Sequence, residues 1–318
     1  MTEDRSGYLL VHFVEDPEGY GEQIYFSLSD RLDPLVWTRA NAGRPILTSM
    51  LGTTGVRDPY FVRGDGESFI IATDLRVYGG DERGWAEWTR HGSRSLVVWR
   101  STDLVDWSDP WLVEVAPENA GMAWAPEALY DEETGEYLVF WSSSLYGSED
   151  PDRVHEQHSR ILVARTRDFR AFSPAETLVD LGPGHGVIDM TAVEHAGKLH
   201  RFLKGDDTKK LFQQVGSDFF ADDFVTVAER IADELYSSVE APLIFHDDRA
   251  DRWYLWVDQF SALPQGYLAL WATELDSGDW TAIPADEFRL PANSKHGVVV
   301  PLREGEWDTL AARYLSSE

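Results

Sequence analysis

Short apolar runs recur along this chain between turns that are rich in Asp, Gly and Pro, and helical periodicity is nearly missing. Short runs of β-branched, aromatic and aliphatic residues bounded by such turns are typical of β-strands. The pattern therefore predicts an all-β protein. Near the end of the chain, apolar residues at helical spacing within residues 305–315 predict one short helix.

The apolar runs repeat as a unit of a strand, a tight turn, two further strands and a Ser/Thr-x-Asp type turn that leads to an aromatic residue. Four complete units begin near residues 58, 125, 187 and 239. A unit at 8–37 lacks its first strand, and residues 296–302 form an isolated apolar run at the other end of the chain. Pairing the two ends completes a fifth unit. The repeat predicts a single five-bladed β-propeller over residues 1–318, because radial closure protects sheet edges.

A division into two domains is the alternative, since domains average about 150 residues and the chain has 318. No linker rich in Pro, Ser or Gly supports such a division. Two long irregular stretches, 75–94 and 145–159, fall inside the repeats, where insertions usually border a binding site. Trp85 and Trp88 lie in the first stretch and either cover a binding subsite or anchor the loop.

Charge and composition narrow the possible partners. The chain has 56 acidic and 28 basic side chains, a formal charge of −28, and no cysteine. A negative field of this size disfavours nucleic acid and anionic membranes as partners. Without cysteine there is no disulfide, thiolate zinc site or cysteine nucleophile. An acidic N-terminus without a long apolar run does not resemble a signal peptide, so we expect a cytoplasmic protein. The oligomeric state cannot be read from the sequence.

Acidic residues and one histidine stand at the predicted starts of the innermost strands, which meet around a propeller axis. These residues are Asp58, Glu127, Asp189, Glu240 and His296. Neighbouring carboxylates raise some carboxyl pKa values and leave others ionised, which supplies both an acid and a base. Inverting glycoside hydrolysis needs such a pair. Trp124 is placed to stack on a sugar ring. Two of these residues also have purely structural interpretations: Asp58-Pro59 as a common turn dipeptide, and His296 as a hydrogen-bonded residue in the wall of the channel.

Four short motifs follow one another, one in each complete repeat. They are Arg57-Asp58-Pro59, Trp124-Ala125-Pro126-Glu127, Val187-Ile188-Asp189 and Val239-Glu240-Ala241-Pro242. In this series the chain resembles glycoside hydrolase family 43, whose members are five-bladed propellers. The resemblance implies that Asp58 is the general base, that Glu240 is the general acid, and that Asp189 orients Glu240 and raises its pKa.

The same resemblance implies lesser roles for two further residues. Glu127 stands where many members have Asp, at a substrate-binding or structural position. His296 resembles an axial histidine that holds calcium or another ion, directly or through water, and it also counts as a substrate-binding candidate. No other cofactor is implied.

The expected function is an inverting, exo-acting glycosidase that removes a terminal pentose from oligosaccharides, α-L-arabinofuranosyl first and β-D-xylosyl second. The exo preference follows from the expected cytoplasmic location, where imported fragments are met. A galactofuranosidase and a non-catalytic sugar-binding propeller remain open. Retaining fructosidases fit poorly, because the nearest match to their upstream nucleophile motif is residues 15–19 and their Glu-Cys acid needs a cysteine.

Overall fold

A computed structural model describes residues 5–15 and 21–315; residues 16–19 of the weak fructosidase match lie outside this part. The first strands in chain order are β1 (Arg5–Phe13), β2 (Tyr25–Asp30) and β3 (Asp33–Arg39). Blade 1 contains β4 (Val56–Arg63), β5 (Ser68–Asp74), β6 (Ser95–Ser101) and β7 (Trp111–Glu114). Blade 2 contains β8 (Trp124–Asp131), β9 (Glu136–Ser144), β10 (Ser159–Thr166) and β11 (Glu176–Val179).

Two further blades complete the series. Blade 3 contains β12 (Val187–His195), β13 (Lys198–Gly205), β14 (Lys210–Gly216) and β15 (Val225–Ile231). Blade 4 contains β16 (Val239–Asp247), β17 (Arg252–Gln259), β18 (Gly266–Ala272) and β19 (Thr281–Ala282). The last strand, β20 (Lys295–Arg303), joins β1, β2 and β3 as blade 5. The α-helices are α1 (Trp85–His91) and α2 (Glu306–Tyr314), and short 3-10 helices cover Asn41–Gly43 and Leu275–Ser277.

The predicted closure of the propeller is confirmed. Strand β20 pairs antiparallel with β1, so that the innermost strand of blade 5 comes from the C-terminal end of the chain and its neighbours from the N-terminal end. Each of the five blades is a four-stranded antiparallel sheet. The predicted C-terminal helix is confirmed as α2, which covers this closure: Leu310 is buried in the core, and Glu306 accepts two hydrogen bonds from Arg63, at 2.8 and 2.7 Å.

Hydrophobic cores lie between neighbouring blades, because alternate residues of a strand point to opposite faces of its sheet. In β6, Val97 and Trp99 pack toward blade 5, whereas Leu96 and Val98 pack toward blade 2. The other blade pairs repeat this arrangement. No helix among residues 5–15 and 21–315 is long and apolar enough to span a membrane.

A β-bulge occurs at the same place in the innermost strand of blades 1 to 4. In each bulge two inner-strand residues face one residue of the second strand. The first bulge residues have positive φ angles: Asp58 (50°), Ala125 (48°), Asp189 (53°) and Ala241 (52°). A positive φ is strained for residues other than glycine, and such strain often accompanies functional sites.

The bulges correct the expectation that the acidic residues occupy equivalent positions. Asp58 and Asp189 are equivalent, but Glu240 lies one residue before its bulge and Glu127 one residue after its bulge pair. The physical reason is the proline, which lacks an N–H and so occupies the second bulge residue, where the ladder leaves it unpaired. Aligning Pro59, Pro126 and Pro242 in the sequence would have given the observed register.

The stretch 75–94, expected to be irregular, contains α1. Its seven residues are too few for a helical period to stand out from the surrounding polar sequence. Only Trp88 of this helix is buried, and its indole donates a hydrogen bond of 2.7 Å to Asp81. Trp88 therefore anchors the insertion, which was one of the two roles expected for it.

Candidate active site

Asp58 is held by hydrogen bonds to both of its carboxylate oxygens. Thr73, on the second strand of the same blade, donates to Oδ2 at 2.9 Å, and His296 Nδ1 lies 3.3 Å from Oδ1. Burial alone would raise the pKa of Asp58, but the hydrogen bond and charge of His296, the charge of Arg57 and the Thr73 hydroxyl leave that pKa below its ordinary value. Asp58 is therefore an oriented carboxylate, as a general base has to be.

Asp189 and Glu240 share one lysine, Lys204 of β13. Lys204 Nζ lies 2.6 Å from Glu240 Oε2 and 3.9 Å from Asp189 Oδ2. Asp189 is tied to its neighbours on both sides, since its backbone N–H donates to Ser142 Oγ at 3.1 Å and its Oδ2 accepts from the Ala241 N–H at 3.3 Å. The three charged side chains form one cluster across the boundary between blades 3 and 4.

Burial and the charge of Lys204 act in opposite directions on the pKa values of Asp189 and Glu240. Burial raises the pKa of Asp189, and the charges of Glu240 and Asp58 add to it against the effects of Lys204 and His296. Burial would also raise the pKa of Glu240, but the charge and hydrogen bond of Lys204 outweigh it and lower that pKa. In the free chain Lys204 thus favours the ionised form of Glu240, and a general acid at Glu240 has to gain its proton before it can react.

Glu127 lies deeper along the axis than the other acidic residues. It is 4% exposed, and its Oε2 accepts no hydrogen bond from any residue in the described ranges. Burial raises its pKa well above the ordinary value, against the charge of His296 and a hydrogen bond from Thr191. Glu127 lines a cavity of about 350 Å³ together with Tyr60, Thr191 and Leu243. Its predicted substrate contact stays a prediction, and its burial leaves a sugar little access to it.

His296 pairs with the carboxylate of Asp58 and is surrounded by further carboxyl groups. Its hydrogen bond and charge interaction with Asp58, together with the charges of Asp189 and Glu127, overcome burial and raise its pKa to about 9. At neutral pH both ring nitrogens then carry protons and neither offers a lone pair. Within residues 5–15 and 21–315, no group of three or more His, Asp or Glu side chains is arranged to hold a metal ion. An axial ion held by His296, directly or through water, stays a prediction.

Aromatic side chains border the site on the side of blades 1 and 2. Trp85 is 53% exposed, and its ring lies edge-to-face with Trp124 at a centroid distance of 6.0 Å. The Arg57 guanidinium lies 5.4 Å from the Trp85 ring and is ion-paired with Glu15 and Glu22. Trp85 thus presents an exposed ring beside Trp124 and Arg57, and the predicted sugar contact of Trp124 stays a prediction.

Several charged residues of the site escaped the sequence analysis. Lys204 is one, and a buried ion pair between Lys295 and Asp258, 3.0 Å apart, is another. Asp258 is the ladder partner of Glu240, and burial raises its pKa to about 7, with the charge of Lys295 acting against this. Lys204 and Asp258 each lie one residue before the end of a largely buried second strand, and a charged residue there needs a partner. A charged residue at this place in a strand was therefore the sequence feature that could have identified Lys204 and Asp258.

A family model and a curated relative match this chain. The family model described as a probable glycosyl hydrolase domain, related to family 43, matches residues 3–308. The chain is 30% identical over 251 residues to an α-L-arabinofuranosidase of Bifidobacterium longum subsp. longum. The aligned region covers 74% of this chain and 22% of that protein. The chain thus spans about a fifth of the length of the curated relative it matches.

Solved structures share the fold at low sequence identity. The catalytic domain of a Coprinopsis cinerea GH62 α-L-arabinofuranosidase superposes with a TM-score of 0.54 at 16% identity, over 79% of this chain and 76% of that one. A GH43 β-1,3-galactosidase superposes with a TM-score of 0.51 at 13% identity, over 72% and 76% of the two chains.

Proposed function

Because this chain belongs to the family 43-related glycosyl hydrolases, we propose that it is an inverting, exo-acting glycosidase that releases a terminal pentose from oligosaccharides. The observation that carries the proposal is the single buried cluster around the axis. Asp58 and Asp189 occupy equivalent bulges, Glu240 lies beside a third bulge, and each of their pKa values is shifted by other charges of the cluster. Inverting hydrolysis needs one carboxylate and one carboxylic acid in such a place.

In this mechanism Asp58 accepts a proton from the attacking water. Its lowered pKa keeps it ionised at neutral pH, and Thr73 and His296 fix the direction in which its free lone pairs point. Glu240 donates a proton to the leaving glycosidic oxygen. Asp189 orients the neighbouring strand through the Ala241 N–H and acts on Glu240 through its charge.

Burial supports action at a chain end. The side chains of Asp58 and Asp189 are only 17% and 11% exposed, and Glu240 is 28% exposed. A sugar within a longer chain would have to bring both of its neighbours down to these carboxylates, whereas a terminal sugar brings only one. The exo preference is inferred from this access.

The choice of sugar rests on the curated relative. That protein is named an α-L-arabinofuranosidase, which supports the α-L-arabinofuranosyl unit as the first choice, ahead of β-D-xylosyl and galactofuranosyl units. The testing experiment is a screen of 4-nitrophenyl α-L-arabinofuranoside, β-D-xyloside and β-D-galactofuranoside with the wild-type chain and the Asp58→Asn variant. Release of nitrophenol by the wild type alone supports the proposal. Equal rates for both proteins, or none with any glycoside, would count against it.

A further inference from the structure

Lys204 interrupts a regular feature of the blades. In blades 1 to 3, the residue on the second strand that faces the position before the bulge is Thr73, Ser142 and Lys204 in turn. The two hydroxyl groups have a common task. Thr73 Oγ1 accepts a hydrogen bond of 2.8 Å from the Ala125 N–H, and Ser142 Oγ accepts one of 3.1 Å from the Asp189 N–H. Each hydroxyl thus holds the strained bulge of the next blade.

In blade 3 this task passes to another residue. The bulge amide of Ala241 donates to Asp189 Oδ2 at 3.3 Å instead, and a lysine can accept no such bond because an ammonium group only donates. The cation therefore stands at this place for a different reason. It stands in the blade that precedes Glu240, the residue to which the proposed function assigns proton donation.

The ammonium group of Lys204 has N–H donors that its surroundings do not use. Lys204 is 4% exposed, and Nζ makes one hydrogen bond within the described part of the chain, to Glu240 Oε2 at 2.6 Å. Asp189 Oδ2 is at 3.9 Å, and the ring of Phe260 lies 5.1 Å away. Because an ammonium group has three N–H donors and one of them is used here, Lys204 can serve another acceptor beside Glu240, whose side chain is 28% exposed.

We propose that Lys204 is a positioning residue that exchanges partners when substrate binds: its ammonium group holds Glu240 in the free chain and turns to a hydroxyl oxygen of the terminal sugar in the complex. This inference rests on the proposed function. The lysine stays an ammonium ion throughout. Glu240, released from the ion pair, takes up one proton from solvent and later passes it to the glycosidic oxygen, while Asp58 accepts one proton from the attacking water.

The exchange is tested with Lys204→Met against Lys198→Met, a matched variant of an ion-paired lysine at the other end of the same strand, 2.5 Å from Asp276. A general acid loses activity as the pH rises through its pKa. Since Lys204 lowers the pKa of Glu240, its removal should move the alkaline limb of kcat/KM upward by about one pH unit. The KM should rise about tenfold through the lost hydrogen bond to the sugar. An unmoved alkaline limb together with an unchanged KM would overturn the proposal.

Two readouts do not depend on hydrolysis. In calorimetric titrations with free L-arabinose, D-xylose and D-galactose, Lys204→Met should bind the preferred sugar about tenfold more weakly than Lys198→Met; equal affinity would overturn the exchange. In urea unfolding, the effects of Lys204→Met and Glu240→Gln should fall short of additivity in the double variant. Strict additivity would overturn the pairing. A chain that binds sugar in this way but hydrolyses none refutes the proposed function and leaves the role of Lys204 standing.

Discussion

The side chains of Asp58 and His296, on the innermost strands of neighbouring blades, meet with 3.3 Å between Asp58 Oδ1 and His296 Nδ1. The pair is nearly closed to solvent, since the two side chains are 17% and 11% exposed. Little water is left to screen the opposite charges, so each holds the other in its ionised form. The histidine thus keeps Asp58, the proposed general base, ionised at neutral pH.

Replacing His296 with Gln should move the acid limb of kcat/KM to higher pH. A general base loses activity as the pH falls through its pKa, and the charge of His296 lowers the pKa of Asp58. Without that charge, the limb should move upward by about one pH unit or more. His246→Gln is the control, because His246 pairs with Asp248 at 2.7 Å on a surface away from the site. An acid limb that stays in place for His296→Gln would contradict the pairing.

Removing the exposed indole of Trp85 should weaken substrate binding. Aromatic contacts contribute about 0.5–1.5 kcal/mol, so Trp85→Ala should raise KM by up to about tenfold and leave kcat near the wild-type value. The matched control is Phe220→Ala, since Phe220 is 50% exposed against 53% for Trp85 but lies outside the site. Steady-state kinetics on an oligosaccharide measures both. The same KM in both variants would show that Trp85 does not contact substrate.

Breaking the buried pair of Asp258 and Lys295 from one side should be costly in stability. The side chains are 1% and 2% exposed, so Lys295→Met leaves a buried carboxylate without its partner and should lower the free energy of unfolding by about 3–5 kcal/mol. The double change Asp258→Leu with Lys295→Met should recover much of this loss. For comparison, Lys198→Met breaks a half-exposed pair with Asp276 and should change stability by less than about 1 kcal/mol. Urea unfolding distinguishes these outcomes.

The strained bulges predict an unusual response to glycine. Ala125 has a φ of 48°, a conformation that costs L-residues about 1–2 kcal/mol, so Ala125→Gly should leave the free energy of unfolding unchanged or raise it slightly. Ala125→Val should lower it. In Ala128→Gly, on the same strand, glycine replaces an alanine that has no positive φ, and stability should fall by about 1 kcal/mol. Equal losses for the two glycine variants would show that the bulge carries no strain.

The propeller could be predicted from the sequence because its information is local and repeated. Each blade repeats the same order of apolar runs and turns, and the isolated run at 296–302 has a counterpart at the other end of the chain. The exact position of each acidic residue along its inner strand depends instead on the bulges. A shift of one residue decides whether a side chain faces the axis, and the apolar periodicity of the sequence does not reveal such a shift.

The electrostatics of the site were harder to predict. Asp189 was expected to raise the pKa of Glu240, and that expectation omitted Lys204, which is distant in the sequence and opposes it. Lys204 enters the site only because β13 pairs with β12 and so brings residue 204 opposite residue 188. Partners of this kind follow from strand register across blades, and a single sequence does not display them.

The most direct test of the account is the hydrolysis of two substrates by Glu240→Ala, a 4-nitrophenyl and an alkyl α-L-arabinofuranoside. A 4-nitrophenolate leaves without protonation, whereas an alkoxide needs a proton from the general acid. The variant should lose about 10²–10⁴-fold in kcat/KM on the alkyl glycoside and far less on the nitrophenyl glycoside. Equal losses on both substrates, or full activity on the alkyl glycoside, would contradict the assignment of Glu240 as the acid.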